Sequence, residues 1–299
     1  LIFAHPSGIH KTHLRGVKLK PSVSTHLFAM NELERGQLEA MRGQGFERVE
    51  IWGMAPHFDA RDDARVELLD AWLSEMDMVA ATYHAPFYNR FGSPDFKLYS
   101  LATEDQALLR ESIDATRRAI EVAGFLGSDL VVVHGPGGVD DSGPECVRHF
   151  IESLAELSQV AQRVGVRIGV ENVITDESRA ERLVELIEDL GAGNVGLCLD
   201  LGHLNVEQDL LSGLEAGSDL LLSVHISDNH GERDEHLIPG RGNIDWGEAS
   251  DKLGSMPRLA HMVLEVMSHN AGAPVEDPLV QQSLQALEQC WRRFFTETK

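Results

Sequence analysis

Eight times along this chain a short run rich in β-branched residues gives way to a longer stretch of helical periodicity. No other feature of the sequence narrows the fold so far, because parallel strands need long crossovers and helices fill them. The runs are SVSTHLF (22–28), RVEIW (48–52), MVAATYH (78–84), DLVVVH (129–134), RIGVE (167–171), VGLCLD (195–200), LLSVHIS (221–227) and HMVLEV (261–266). Amphipathic segments lie between and after them, among them 105–126, 143–164, 179–190 and 278–298. Within 152–164, Leu154, Leu157, Ala161 and Val164 recur at helical spacing and mark one face as packed on a sheet. Eight such units predict an α/β chain closed into a (β/α)8 TIM barrel. An open nucleotide-binding sheet would show fewer units and a glycine-rich phosphate loop after its first strand. The GPGG at 135–138 has neither GxGxxG nor Walker spacing.

No linker or low-complexity tract interrupts 21–299, which reads as a single barrel domain. Residues 1–20, with Lys11, Arg15, Lys18 and Lys20, read as a basic, partly ordered N-terminal arm, a solvated tail rather than a nucleic-acid arm. At 299 residues the chain has the length of one such barrel. No run of about 18 apolar residues occurs, so no membrane span is expected. The opening LIFAHPSGIH is too short and too polar for a secretion signal, and Cys146, Cys198 and Cys290 lack CxxC spacing. A reducing, cytoplasmic setting is the simplest expectation. The 26 Lys and Arg against 48 Asp and Glu leave a net charge of −22. A surface this acidic repels phosphates, so nucleic acid is not an expected partner.

In a barrel of this kind the chemistry sits at the C-terminal ends of the strands. Here the third to sixth runs end in His84, His134, Glu171 and Asp200, the seventh carries His225 and the eighth Glu265. Six consecutive strands thus finish in a side chain able to bind a metal. Each alone has a plain structural alternative: a lone histidine is more often a hydrogen-bonded core residue, and Asp200 can cap the next helix. Glu171 and Glu265 follow apolar runs, where a carboxylate is costly to bury without a cation or hydrogen bonds. In LDLGH (199–203), Gly202 would let the chain turn tightly, so that Asp200 and His203 face the same mouth. A mixed carboxylate and imidazole set suits Zn²⁺, Mn²⁺ or Co²⁺, and suits calcium poorly.

The stretches YHAPF (83–87), VVVHGPGG (131–138), GVENV (169–173), LDLGH (199–203), VHISDN (224–229), DEHLIPGRGNIDW (234–246) and LEV (264–266) resemble, in content and order, those of the xylose-isomerase-like TIM barrels. That superfamily holds sugar and sugar-phosphate isomerases and epimerases, inosose-processing enzymes and the endonuclease IV type of DNA-repair enzyme. The resemblance runs from the third strand to the eighth and specifies the superfamily, not one reaction within it. It implies a metal shell of Glu171, Asp200, His225 and Glu265. It also implies that His84, His134, His203, Asp234 and His236 hold additional zinc ions, as in the repair endonucleases, or bind substrate hydroxyls, as in sugar-acting members. One divalent ion (Mn²⁺, Co²⁺ or Zn²⁺) is the expected cofactor, with up to three accommodated. The HGPG at 134–137 departs from the family's frequent HPG and leaves the backbone path after His134 open.

The expected activity is therefore that of a metal-dependent isomerase or epimerase of carbohydrate metabolism, acting on a sugar, sugar phosphate or related polyol. A hydroxy-ketone chelated by the ion loses a neighbouring proton to give a stabilised enediolate. Glu171 and Glu265, from strands facing one another across the barrel, are the candidate base and acid, doubling as ligands as the resemblance implies. Arg241, between Gly240 and Gly242, is a candidate for a substrate oxygen or phosphate, with a surface ion pair as its plain alternative. Trp52 and Phe87 are candidates for an apolar wall against a sugar ring, with packing beneath a loop as theirs. Trp246 is expected to anchor the turn into the next helix, and Cys198 to be a small buried core residue. An endonuclease IV-like zinc phosphodiesterase acting on abasic DNA would use the same ligands, but the charge of −22 opposes it. A lyase or dehydratase, including a C-glycoside-cleaving one, would also share the metal shell. A non-catalytic sugar-binding barrel is disfavoured by the cost of burying two glutamates. Barrels of this kind often pair, which leaves a homo-oligomer open; the sequence does not set the oligomeric state.

Overall fold

The computed structural model describes residues 21–137, 142–207, 209–267, 272 and 274–293, so the arm read at 1–20 lies outside the described residues. Eight parallel strands close into a barrel in chain order, with the first hydrogen-bonded to the last. They are β1 (Ser22–Ser24), β2 (Arg48–Trp52), β3 (Val79–His84), β4 (Leu130–His134), β5 (Arg167–Glu171), β6 (Val195–Asp200), β7 (Leu221–Ile226) and β8 (His261–Leu264). The described helices are α1 (Arg35–Gly43), α2 (Asp63–Glu75), α3 (Gln106–Phe125), α4 (Pro144–Val164), α5 (Ala180–Leu190), α6 (Leu201–Glu207), α7 (Leu210–Gly217), α8 (Trp246–Leu253) and α9 (Pro278–Trp291). Asp62, Asp105, Asp209 and Asp245 each accept a backbone N–H at the start of α2, α3, α7 and α8, so part of the acidic excess is spent on capping. Among the described residues no helix is long and apolar enough to cross a membrane.

The first strand is shorter than the run SVSTHLF predicts. Ser24 Oγ accepts the N–H of His26 at 3.2 Å, and the chain tightens into a 3-10 turn over Thr25–Phe28. A local serine bond overrides the β-branched run there.

Alternation along the strands separates two packed layers. Val131, Val133 and Leu199 point outward and join the core shared with helix residues such as Ile120, Leu154 and Leu157. Leu130, Val132, Cys198 and Leu222 form a separate apolar cluster inside the barrel. Cys198 is thus the small core residue its spacing predicts. One pleat further along, the same inward phase reaches His134 on β4 and Asp200 on β6. Parallel register then sets neighbours side by side, His134 against Glu171 and Asp200 against His225. The apolar cluster lies beneath part of the mouth, and the strand ends above it carry the titratable groups.

Candidate metal centre and active site

His84, His134, Glu171 and Asp200 are the last residues of β3 to β6, His225 is the penultimate residue of β7, and Glu265 follows β8 directly. The barrel gathers them. Glu171, Asp200, His225 and Glu265 are buried, and one ligating atom from each lies within 4.8 Å of the others. His225 Nδ1 is 2.9 Å from Glu171 Oε1 and 3.1 Å from Glu265 Oε2. Its other nitrogen, Nε2, faces Glu50 Oε2 at 3.2 Å, and the same oxygen accepts the Thr82 hydroxyl at 2.9 Å.

Three more clusters adjoin or overlap this one: His84 with His225 and Glu265, His84 with His134 and Glu171, and His203 with Asp234 and His236. In three of these histidines Nδ1 meets a backbone carbonyl: Ala85 O at 2.9 Å for His84, Asn172 O at 2.7 Å for His203, Glu265 O at 3.1 Å for His236. A carbonyl only accepts, so Nδ1 carries the proton in each. The Nε2 atoms then face carboxylates: His84 to Glu171 at 3.1 Å, His203 to Asp234 at 3.3 Å, and His236 to Asp234 at 2.8 Å. In a neutral ring that nitrogen is a lone pair turned toward an anion, an arrangement that needs a cation between or a proton upon it.

The electrostatics agree. Burial resists charging His225, yet Cys198, Glu265, Glu50 and Glu171 raise it well above the usual imidazole range. Burial likewise opposes His236, but the bond and charge of Asp234 lift it to about 9. Glu171 and Glu265 are held below the carboxylate range, since His225 outweighs their burial. Asp200, buried among other acids, is pushed up to about 6. Asp200 Oδ2, Asp234 Oδ1 and Glu265 Oε1 are buried without a hydrogen-bond partner among the described residues. Unpartnered buried carboxylate oxygens are expensive, and a divalent cation satisfies several at once. The donors, carboxylate oxygen with imidazole nitrogen, fit Zn²⁺, Mn²⁺ or Co²⁺.

His203 lies in α6, not in a turn. Gly202 serves by its size, since a Cβ there would collide with Ser227 Oγ. Trp52 is buried, its ring 4.5 Å from that of His84, and Phe87 stacks on His134 at 4.2 Å. Arg241 is exposed; its backbone N–H donates to Ile238 O at 3.1 Å.

Four contributors escape a reading of strand ends alone. His26 packs between Trp52 and His236, at 4.3 and 4.8 Å between ring centres. Glu50 lies in mid-strand beneath His225. Asn172 ties β5 to β6 by accepting the Asp200 N–H at 2.7 Å. Asp228 accepts from Gly240 N at 2.7 Å and Trp246 Nε1 at 2.9 Å, fastening the loop that carries Asp234 and His236. Trp246 is thereby the anchor its position predicts. An acid between apolar neighbours in RVEIW was the available signal for Glu50.

The family model of the xylose isomerase-like TIM barrel matches residues 38–290. The chain belongs to this family. Among relatives, an uncharacterised protein of Methanocaldococcus jannaschii is 29% identical over 252 residues, 79% of this chain and 79% of its own. The fructoselysine 3-epimerase of Shigella flexneri is 24% identical over 210 residues, 68% of this chain and 74% of that one. Of solved structures, a D-tagatose 3-epimerase-like protein superposes with a TM-score of 0.74 at 23% identity, over 92% of this chain and 98% of the other. The IOLI protein, solved with a bound zinc atom, gives 0.75 at 19% identity, over 93% and 100%.

Proposed function

We propose that this protein is a divalent-metal-dependent sugar epimerase or isomerase, with Glu171 and Glu265 as base and acid. The observation that carries the reading is the pair of buried carboxylates approaching His225 Nδ1, at 2.9 and 3.1 Å, within the cluster completed by Asp200. Epimerases of the same fold, solved with D-allulose, D-fructose and D-tagatose, support a sugar as substrate. Glu171, Asp200, His225 and Glu265 would hold the ion, which when bound supplies Lewis acidity to a hydroxy-ketone. Glu171 and Glu265 come from β5 and β8, so one can take a proton from a carbon while the other returns it on the opposite face. Trp52 and Phe87 shield that carbon from water. The test is incubation of the metal-loaded protein with a ketose panel in deuterated water. Deuterium is expected on a substrate carbon, and its absence from every sugar overturns the reading.

A second reading has one specific observation in its favour. His84, His134, His203, Asp234 and His236 assemble beside the four ligands, completing a nine-group set suited to three ions and an endonuclease IV-like phosphodiesterase. The net charge of −22 opposes a DNA partner. Elemental analysis separates the two: about one ion per chain favours the epimerase. Three zinc ions with incision of an abasic duplex would favour the nuclease.

A further inference from the structure

A cavity of about 700 Å³ opens beside the metal cluster, with His134 and His203 in its wall at the inner end. That volume is in the range that receives drug-sized molecules, hundreds of Å³, and far exceeds the space a single hexose fills. Its walls are mainly apolar, formed by Phe87, Phe96, Leu98, Leu101, Val173 and Ile174. Three of these lie open to water: Phe96 at 46%, Leu98 at 50% and Ile174 at 40% exposure. The wall is a built one. Phe87 O accepts the Tyr99 N–H at 2.9 Å and Asn89 N–H donates to Lys97 O at 3.1 Å, so residues 87–99 close on themselves.

Several polar groups of this wall are engaged within the protein. Lys97 pairs with Glu111, the Ser112 hydroxyl donates to Leu108 O at 2.7 Å, and Thr103 Oγ1 accepts the Asp105 N–H at 3.2 Å. Lys97 is the one lysine or arginine lining the cavity among the described residues, and Glu111 offsets its charge. A phosphate would meet a lysine already paired with a carboxylate, whereas an apolar ring would cover surface now facing water.

We infer that the substrate is an unphosphorylated sugar bearing an apolar, ring-containing substituent, the sugar lying at the metal cluster and the substituent in this cavity. The inference rests on the sugar reading above for what occupies the inner end. It goes further in naming the chemistry of the outer end and in excluding sugar phosphates.

The test is calorimetric binding to the metal-loaded protein of paired methyl and phenyl glycosides of glucose, galactose and mannose, with fructose and fructose 6-phosphate alongside. For at least one sugar the phenyl member is expected to bind about tenfold or more tighter than the methyl one, from burial of the ring. The exposed-wall variants Leu98→Ser and Ile174→Ser should erase most of that preference while leaving the affinity for fructose unchanged. Equal affinities within every pair, no binding by any phenyl glycoside at millimolar concentration, or fructose 6-phosphate binding tighter than fructose would each overturn the inference. So would a dimer in solution that Leu98→Ser dissociates, because the wall would then be covered by a second copy. Deuterium exchange separates this inference from the one it rests on. A phenyl preference with no exchange on any sugar sinks the epimerase reading alone, and exchange on free ketoses without a phenyl preference sinks the substituent alone.

Discussion

At the scale of single residues, His225 is held differently from the other histidines of the mouth. A carboxylate, Glu50, backs its Nε2, where His84, His203 and His236 are backed by backbone carbonyls. A carboxylate behind an imidazole makes the far nitrogen a better ligand and fixes the ring, and losing such a partner typically costs about 10–100-fold in metal affinity. We expect Glu50→Leu to weaken metal binding by about that factor, measured by competition with a chelating dye, and Glu50→Gln to recover part of it. Glu171→Gln and Glu265→Gln should each lower kcat by about 10²-fold or more while thermal unfolding shows a folded barrel. Near-wild-type turnover by either variant would remove it from the proton-transfer role. The strand-end residues were legible in the sequence because a barrel repeats them at one phase. Glu50 and His26 were not, for a physical reason: they share that inward phase but sit where the chain is mid-strand or already turning. A search confined to final residues passes over them.

At the scale of elements, the loop between β7 and α8 shows how a flexible-looking stretch is fixed in place. Asp228 binds the backbone of Gly240 and the indole of Trp246, and Gly242 packs so closely that a Cβ would collide with Asn229 O. Asp228→Ala should leave several donors unpaired and cost about 1–3 kcal/mol in denaturant unfolding. Elsewhere a buried histidine clamps one element to another: His57 meets Asn31 O at 2.7 Å and Thr25 Oγ1 at 3.0 Å. Burial, only partly offset by its backbone bonds, pushes His57 down from 6.5 to about 4. The folded state therefore refuses a proton that the unfolded state accepts below about pH 6.5. Stability contributed by the neutral ring is full above that pH and is lost as pH falls toward 4, by on the order of 3 kcal/mol in total. Urea midpoints at about pH 7 and about pH 5 should differ less in His57→Gln than in the parent protein. The strands and helices themselves were largely readable, since each long helix kept its period. The end of β1 was not, because one serine hydroxyl decided it.

At the scale of the whole molecule, the charge and the barrel act together. Many of the 48 acids lie outside the metal cluster, at helix starts and in exposed ion pairs, while the few that converge are fixed by strand register. The repeat count was enough to predict closure; which loops would form the broad cavity beside the cluster depends on long-range packing and left no periodic trace. Chelation should lower the melting temperature without abolishing the circular dichroism of the barrel. An ion returned at about 100 times its Kd should restore about 2.7 kcal/mol. The lasting consequence lies in the closure of the ring, β1 bonded to β8. A ring with no ends does not take its shape from what it holds, so a divalent ion bound by these residues would give way to another without the chain refolding. Affinity for such sites rises from manganese to copper and falls again at zinc, so raw affinity alone does not choose the ion. The metal this protein carries in a cell would then be set by supply, and the same polypeptide grown on different metal stocks should emerge as different enzymes.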